Sequence, residues 1–303
     1  MSLTIEAPQP EITLPKTAAR SRQLIAASQR TTLDPFEYVD WSLPIDDSAF
    51  HFPPELLPLY GTDAWQAMSR TEQIAYSRHE TAALCGAGVW FENVLMQVVL
   101  RHLADMPVTD PAHRYLLVEV ADECRHSAMF GEYIRRAGTP AYRPALDAAA
   151  LSSADDSPAH RAVSYLLILA VEELLDHMNR ATMRDERVHP VSRAMAKLHV
   201  LEEARHVSFA KTYLSESWVT LDAAARAEIA AAAPVLVSVV ADLSVDPAVY
   251  EELGITDGAE IARANPRHRE TIVTGLAKLT TFLAEVGIID ADNRAVWAEL
   301  GLV

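Results

Sequence analysis

Two copies of the pattern Glu-x-x-His lie in the middle of the chain, at Glu123–His126 and Glu203–His206. On a helix, side chains three residues apart lie on one face, so each copy can direct a carboxylate and an imidazole at one point. Each copy follows a single glutamate, Glu92 or Glu172, by 31 residues. One glutamate from each of two helices, with Glu-x-x-His from each of two others, is the ligand pattern of a two-metal carboxylate site in a four-helix bundle.

The two halves of this pattern form an internal repeat with an offset of 80 residues. Arg125 aligns with Arg205, and Tyr133 with Tyr213, in addition to the aligned glutamates and histidines. The aligned acids occupy positions where a packed helix would favour apolar residues, and a buried carboxylate without a partner is costly. Metal ions are the simplest partners for these acids, and an ion-pair network through Arg125 and Arg205 is the alternative.

A third histidine extends the second copy of the pattern. His199 lies four residues before Glu203 and seven before His206, so all three share one helix face. Its counterpart in the repeat is Glu119, which we expect to accept a hydrogen bond near the metals or to contact substrate. The site is then asymmetric, with more nitrogen ligands on one metal than on the other. The seven predicted ligands are Glu92, Glu123, His126, Glu172, His199, Glu203 and His206.

The residues next to the predicted ligands are charged as well. Asp122 and Glu202 precede ligand glutamates, and Arg125 and Arg205 precede ligand histidines. A ligating histidine normally donates its other N–H to a carboxylate or carbonyl, so the two acids are candidates for that role, with arginine fixing the acid. Ordinary structural salt bridges are the alternative.

Small residues precede Glu92 by one to two helical turns. Cys85 and Gly88, followed by Val89, would leave room for a substrate beside the metals. Close packing between two helices explains the same small residues equally well.

Helix start and stop signals place the ligands on four helices. A capping box at Ser69–Glu72, the pairs Asp110–Pro111 and Ser157–Pro158, and Pro190 mark the four starts. These core helices are predicted at about 70–103, 110–137, 157–186 and 190–217. A short helix is expected at 17–27, an irregular lead-in at 31–68, and accessory helices at 221–243, 258–264, 267–287 and 291–300.

The predicted fold is all-α, because no alternating strand pattern appears. We expect a single domain over residues 1–303, with a ferritin-like four-helix core at 70–218. Residues 219–303 would supply flanking helices, and residues 1–16, which are rich in proline, a disordered tail.

Composition narrows the class of protein. The formal net charge is −16 and no basic run appears, which argues against nucleic-acid binding. Two cysteines without a CxxC pair suit a reducing compartment. The N-terminus lacks the pattern of a signal peptide, and the apolar stretch at 230–243 is short for a membrane span and contains Pro234. A cytoplasmic protein without membrane contact is expected.

The sequences DECRH (122–126) and EEARH (202–206) are similar to the [D/E]ExRH motif of bacterial di-iron oxygenases. With the additional His199, the chain resembles the p-aminobenzoate N-oxygenase (AurF-like) family over roughly residues 70–218. The resemblance implies a homodimer with two iron ions that uses O2 as co-substrate. It further implies oxidation of an amine, in particular an arylamine, to a hydroxylamine or nitro product through a peroxo-diferric intermediate.

The electrons for this chemistry are expected from an external donor, a separate redox partner or reductase, because the sequence shows no flavin, nicotinamide or Fe–S motif. Apart from the motif arginines, the sequence singles out no Arg or Lys near a ligand as a carboxylate-binding residue, so a p-aminobenzoate-like acid is only one candidate substrate.

Other functions on the same scaffold stay open at this point. A C–H hydroxylase or desaturase needs the same ligands. A ferritin-like ferroxidase is disfavoured, because this chain is about twice as long as a lone bundle requires. A radical-generating subunit would need a tyrosine near one iron, and Tyr133 and Tyr213 are the candidates. The intact ligand set argues against a scaffold that has lost its metals.

Overall fold

The structure is a computed structural model that describes residues 14–144 and 157–303. Within these residues the regular structure is helical, apart from one isolated bridge between Phe50 and Val188. The all-α prediction is therefore confirmed. The predicted tail at 1–16 lies mostly outside the described residues, but Pro15 and Lys16 already belong to the first helix. Glu216 accepts hydrogen bonds from the backbone N–H groups that begin this helix, which explains its earlier start.

The helices in chain order are α1 (Pro15–Ser28), α2 (Pro35–Tyr38), α3 (Asp63–Ala67), α4 (Arg70–Ala104), α5 (Pro111–Ala137), α6 (Pro158–Thr182), α7 (Pro190–Trp218), α8 (Ala223–Asp242), α9 (Pro247–Glu252), α10 (Gly258–Ala264), α11 (Pro266–Val286) and α12 (Arg294–Glu299). A 3-10 turn at Pro54–Leu56 lies between α2 and α3.

The four long helices α4 to α7 form the bundle. Helix α4 pairs with α5, and α6 with α7, and the short connection within each pair makes the partners antiparallel. Further contacts between α5 and α7 and between α4 and α6 close the bundle. This is the predicted ferritin-like core. Helix α1 packs across α5 and α7, while α8 and α11 pack against α6, so additional helices cover the bundle on two sides.

Local sequence signals start and stop the core helices. The Ser69 side chain accepts from the backbone of Glu72, whose carboxylate accepts in return from the Ser69 N–H, which completes the capping box. The Asp110 side chain caps α5. At the other end of α5, Gly138 has a φ of +64°, a left-handed conformation that glycine adopts without a Cβ penalty.

Helix α6 ends at Thr182, four residues before the predicted end at Glu186. The cause is a long-range backbone contact. Phe50 donates to the Arg187 carbonyl and accepts from the His189 N–H, and this pairing forms an isolated bridge with Val188 in place of a further helical turn. The lead-in at 31–68 is therefore tied to the bundle, and it contains the short helices α2 and α3 that periodicity did not predict. Helix α9 was likewise missed, although Asp246 caps it.

Two stretches are long and apolar enough to cross a membrane by length and composition alone, namely α4 and Ala223–Glu252. In the most apolar window of α4, 61% is buried within the protein, as in a core helix. The corresponding share in Ala223–Glu252 is 33%. From the sequence alone, residues 230–243 are expected to be too short for a membrane span. The helix that forms is longer than that segment, because α8 already begins at Ala223.

A buried carboxylate links the bundle to the C-terminal helices. Glu80 on α4 is 2% exposed and accepts a hydrogen bond of 2.9 Å from the Tyr250 hydroxyl on α9. Burial raises the pKa of Glu80 to about 7, against the lowering effect of hydrogen bonds from Tyr76 and Tyr250. The folded protein therefore holds a proton that the unfolded chain releases above pH 4.5, so this group makes the protein less stable as the pH rises from 4.5 through 7.

We expect Glu80→Gln to remove this pH dependence. Between pH 5 and pH 8 the wild type should lose on the order of 2 kcal/mol more unfolding free energy than the variant, measured by denaturant titration. The exposed Glu228→Gln serves as a control that should follow the wild type. Equal pH dependence in Glu80→Gln and wild type would contradict a titrating Glu80.

Candidate metal centre

The seven predicted ligands converge in the middle of the bundle, and each is at most 1% exposed. Each of the four long helices contributes. Glu92 comes from α4, the Glu123–His126 pair from α5, Glu172 from α6, and the last three ligands, His199, Glu203 and His206, from α7.

Two carboxylates and two imidazoles form the centre of this cluster. The His126 Nδ1 lies 2.9 Å from one oxygen of Glu123 and 3.0 Å from one of Glu203. The His206 Nδ1 lies 2.8 Å from the other oxygen of each glutamate. A single Nδ1 carries at most one proton and cannot serve two acceptors, so Oε1 of Glu123 and Oε1 of Glu203 have no hydrogen bond. Two donor atoms that each bind the same ion at about 2.1 Å lie about 3 Å from each other. The nitrogen–oxygen distances in this cluster are close to that value.

The remaining three ligands leave buried polar atoms without partners. Both carboxylate oxygens of Glu92 and of Glu172, and the Nε2 of His199, have no hydrogen bond. The His199 Nε2 points toward the acids, 3.8 Å from Glu92 and 3.7 Å from Glu203. Burial, with the charges of neighbouring glutamates, raises the pKa of Glu92 and of Glu172 well above the usual range. Bound cations would satisfy these oxygens, so the residues present fit a metal centre.

The donor atoms fall into groups that differ in nitrogen content. In each group the donor atoms lie within 4.8 Å of one another. One group combines Glu92 with two histidines, His126 and His199. A second has a single histidine, with Glu123, Glu203 and His206 as its members, and a third consists of Glu172, His199 and Glu203. His199 belongs to two of these groups, so the three histidines are divided unequally over the cluster and the arrangement is asymmetric.

The acids outside the cluster contact the ligand histidines in a crossed pattern. Asp122 on α5 accepts from the His206 Nε2 on α7 at 3.2 Å, and Glu202 on α7 accepts from the His126 Nε2 on α5 at 3.0 Å. Each acid thus fixes the histidine of the opposite helix and leaves its Nδ1 directed inward. Burial alone would raise the pKa of Asp122, but hydrogen bonds from His206 and Arg205 hold it below its usual value.

The motif arginines bind these outer acids rather than the ligand glutamates. Arg205 donates to Asp122 at 3.0 Å and lies 3.4 Å from Glu202, and Arg125 donates to Asp122. The ion-pair alternative therefore describes an outer layer around the site. It leaves the carboxylate oxygens of Glu92 and Glu172 without compensation.

Asn179 on α6 is a site residue that the sequence analysis did not identify. Its amide lies 3.2 Å from the His199 Nδ1, on the side of the ring opposite the acids. Asp122 and Glu202 accept from the other two histidines, whereas here the amide nitrogen of Asn179 faces the ring and would donate to the His199 Nδ1. Asn179 lies seven residues after Glu172, on the same helix face, and this spacing was the signal available in the sequence.

A cavity of about 60 Å³ adjoins His199, and we call it the inner cavity. Phe130, Cys85 and Gly88 line it, whereas Val89 and Glu119 are absent from its lining. A Cβ added to Gly88 would come within 2.9 Å of the Phe130 ring, so glycine lets that ring lie beside α4. Glu119 is buried near His206 instead, and burial raises its pKa to about 8.

Both radical candidates are core tyrosines. The Tyr133 hydroxyl lies 2.9 Å from the His51 Nδ1, and the Tyr213 ring packs against Tyr165, with ring centres 4.3 Å apart.

Removing the acceptor from a ligand histidine should weaken metal binding. We expect Asp122→Asn and Glu202→Gln each to lower the affinity for Fe²⁺ by about 10- to 100-fold, measured by anaerobic titration. Glu132→Gln on α5 is the matched control, because Glu132 pairs with Arg135 and Arg136 outside the cluster. Wild-type affinity in both site variants would contradict the role assigned to the outer acids.

Metal removal should make stability depend more strongly on pH. In the metal-free protein the raised pKa values of Glu92 and Glu172 mean that the folded state retains protons that the unfolded chain loses, so stability falls as pH rises above 4.5. Bound metal replaces those protons. We expect the Tm difference between iron-loaded and metal-free protein to increase from pH 5.5 to pH 8 in scanning calorimetry. A constant difference would contradict metal binding at these glutamates.

Comparison with known proteins agrees with this geometry. An uncharacterized protein of Mycobacterium tuberculosis (strain CDC 1551 / Oshkosh) is 29% identical over 288 residues, which covers 90% of this chain and 84% of the relative. An uncharacterized protein of Mycobacterium bovis is 28% identical, with the same coverage of both chains. The model of the family described as "P-aminobenzoate N-oxygenase AurF" matches residues 15–287. The chain therefore belongs to the AurF family of p-aminobenzoate N-oxygenases.

Proposed function

We propose that this protein is a di-iron N-oxygenase that uses O2 to convert an amine, in particular an arylamine, to a hydroxylamine or nitro product. The observation that carries the proposal is the buried, asymmetric donor set, in which His199 offers a third nitrogen donor. Membership in the AurF family supports an oxygenase and, within that class, oxidation at nitrogen.

Two iron ions would be held by the seven residues of the cluster, and when bound they supply O2 activation. The residues of the chain orient the ligand histidines and exclude water. Asp122 and Glu202 accept the Nε2 protons of His206 and His126, which keeps each Nδ1 free for a metal. Asn179 holds the His199 ring at its Nδ1, and with the amide oxygen turned toward that nitrogen it would accept the Nδ1 proton and leave Nε2 for a metal. Complete burial of the cluster excludes water from the reaction.

The substrate amino group would enter the inner cavity beside His199. Asn179 also lines this cavity and offers a polar group within it, while Phe130 and Gly88 form apolar walls. The conversion of an amine to a hydroxylamine consumes one O2, two electrons and two protons, and releases one water. The electrons come from a separate redox partner. We further propose that the protein acts in the cytoplasm as a homodimer.

A C–H hydroxylase or desaturase would use the same ligands, and the product decides between them. The additional histidine at position 199 favours the N-oxygenase. A ferroxidase would oxidise iron without an organic substrate, and it has no use for the inner cavity that adjoins the ligands.

The reaction is tested by supplying iron-loaded protein with a chemical reductant, ¹⁸O₂ and 4-ethylaniline, followed by mass spectrometry. We expect one ¹⁸O atom on nitrogen in the hydroxylamine, and two in any nitro product. Asn179→Ala should reduce this turnover by about 10-fold or more through misorientation of His199. The exposed Val235→Ala should retain wild-type turnover.

A product hydroxylated at carbon would contradict the N-oxygenase proposal and identify the protein as a C–H hydroxylase. Oxidation and continued uptake of iron, without amine consumption, would instead identify a ferroxidase.

A further inference from the structure

A second and larger cavity lies next to the inner cavity, and we call it the outer cavity. It has a volume of about 330 Å³ and lies between α4, α6 and α8. Phe91 and Val171 line it, and each directly precedes a predicted ligand, Glu92 or Glu172. The outer cavity therefore follows the two helices that supply these glutamates.

The two cavities share a wall. Leu84, Gly88, Leu175 and Met178 line both of them. Gly88 has no side chain, and Met178 is an unbranched side chain that adapts its shape readily. A molecule in the outer cavity is thus separated from the inner cavity and His199 by one layer of apolar groups. At the other end the lining includes Val239, which is 39% exposed, so the outer cavity reaches the protein surface along α8.

The lining of the outer cavity is almost entirely apolar. Its polar side chains are two serines, Ser164 and Ser244, together with the indole N–H of Trp90, and none of the described lining residues is charged. The undescribed residues 1–13 and 145–156 contain neither Lys nor Arg. A substrate carboxylate in this cavity would therefore be buried without a cationic side chain from this chain, which is unfavourable. A volume of this size and lining suits an uncharged, drug-sized apolar ligand.

We propose that the outer cavity binds the body of the substrate, and that this body is an uncharged, extended apolar group rather than a benzoate. The alkyl or aryl-alkyl chain of such a molecule lies between α4, α6 and α8. Its amino group would pass the shared wall beside Gly88, where the flexible Met178 side chain can move aside, and so reach the inner cavity beside His199. This inference rests on the proposed amine oxidation and specifies its substrate class.

Binding is tested with aniline and its 4-ethyl, 4-butyl and 4-hexyl derivatives, with 4-aminobenzoate as the anionic comparator. Iron-loaded protein is titrated calorimetrically without reductant, so that binding is measured apart from turnover. We expect Kd to fall by about three- to fourfold for each methylene added. 4-Aminobenzoate should bind at least 10-fold more weakly than 4-ethylaniline. A Kd that does not change with chain length, or tightest binding by 4-aminobenzoate, would overturn the proposal.

Two adjacent residues on α8 provide a matched pair of variants. Leu236 lines the outer cavity, whereas Val235 is 54% exposed and is not part of the lining. Leu236→Trp should abolish the advantage of 4-hexylaniline over 4-ethylaniline, and Val235→Trp should retain it. If Leu236→Trp does not fold, as judged by iron content and melting, Leu167→Phe fills the cavity from α6. Identical behaviour of the cavity and control variants contradicts the proposal.

Two other outcomes separate the hypotheses. If chain-length dependence appears but no N–O product forms with reductant and O2, the cavity proposal holds and the N-oxygenase proposal fails. If N–O product forms while Kd is independent of chain length, the N-oxygenase proposal holds and the cavity proposal fails. Sedimentation of Leu236→Trp completes the test, because loss of a dimer together with flat binding would assign this cavity to an interface between copies.

Discussion

Four glutamates buried in the apolar interior are the constraint on which the rest of this structure depends. Glu92, Glu123, Glu172 and Glu203 are each at most 1% exposed, and those on α4 and α6 have no hydrogen-bond partner at either oxygen. Carboxylates in such surroundings are costly unless protons or cations compensate them. The raised pKa of Glu92 and of Glu172 expresses that cost in the absence of metal. Metal binding at this cluster would therefore be linked to the stability of the bundle.

Charged residues and then flanking helices surround these buried glutamates. Asp122 and Glu202 exchange partners across α5 and α7, so each helix orients a histidine of the other, and Arg205 lies between both acids. Outside this layer α1 covers α5 and α7, and α8 with α11 covers α6. The flanking helices thus explain why the chain is longer than a bundle alone. On one side they also leave an apolar cavity between α4, α6 and α8.

Much of this arrangement could be predicted from the sequence because the bundle is regular. A spacing of three or four residues fixes a helix face, so the repeat of Glu-x-x-His with its preceding glutamates was enough to predict the fold and to propose the ligands. The capping box at Ser69–Glu72 and the stop at Gly138 are similarly local signals.

The features that were missed depend on contacts between distant segments. The early end of α6 follows from the pairing of Phe50 with residues 187–189, which periodicity within α6 does not record. Which acid holds which histidine depends on the packing of α5 against α7, so the motif alone left Asp122 and Glu202 interchangeable. Cavities arise where three helices diverge. For this reason Gly88 could be placed near a pocket from sequence, while Val89, one residue on, lines neither cavity.

The most direct test of the central claim is X-ray diffraction at the iron absorption edge from crystals of the iron-loaded protein. We predict two anomalous peaks roughly 3.5–4 Å apart inside the bundle, as in other two-metal sites. Two of the three ligand histidines should lie beside one peak and the third beside the other. A single peak, or iron bound elsewhere while Glu92 and Glu172 remain without a metal, would contradict the account.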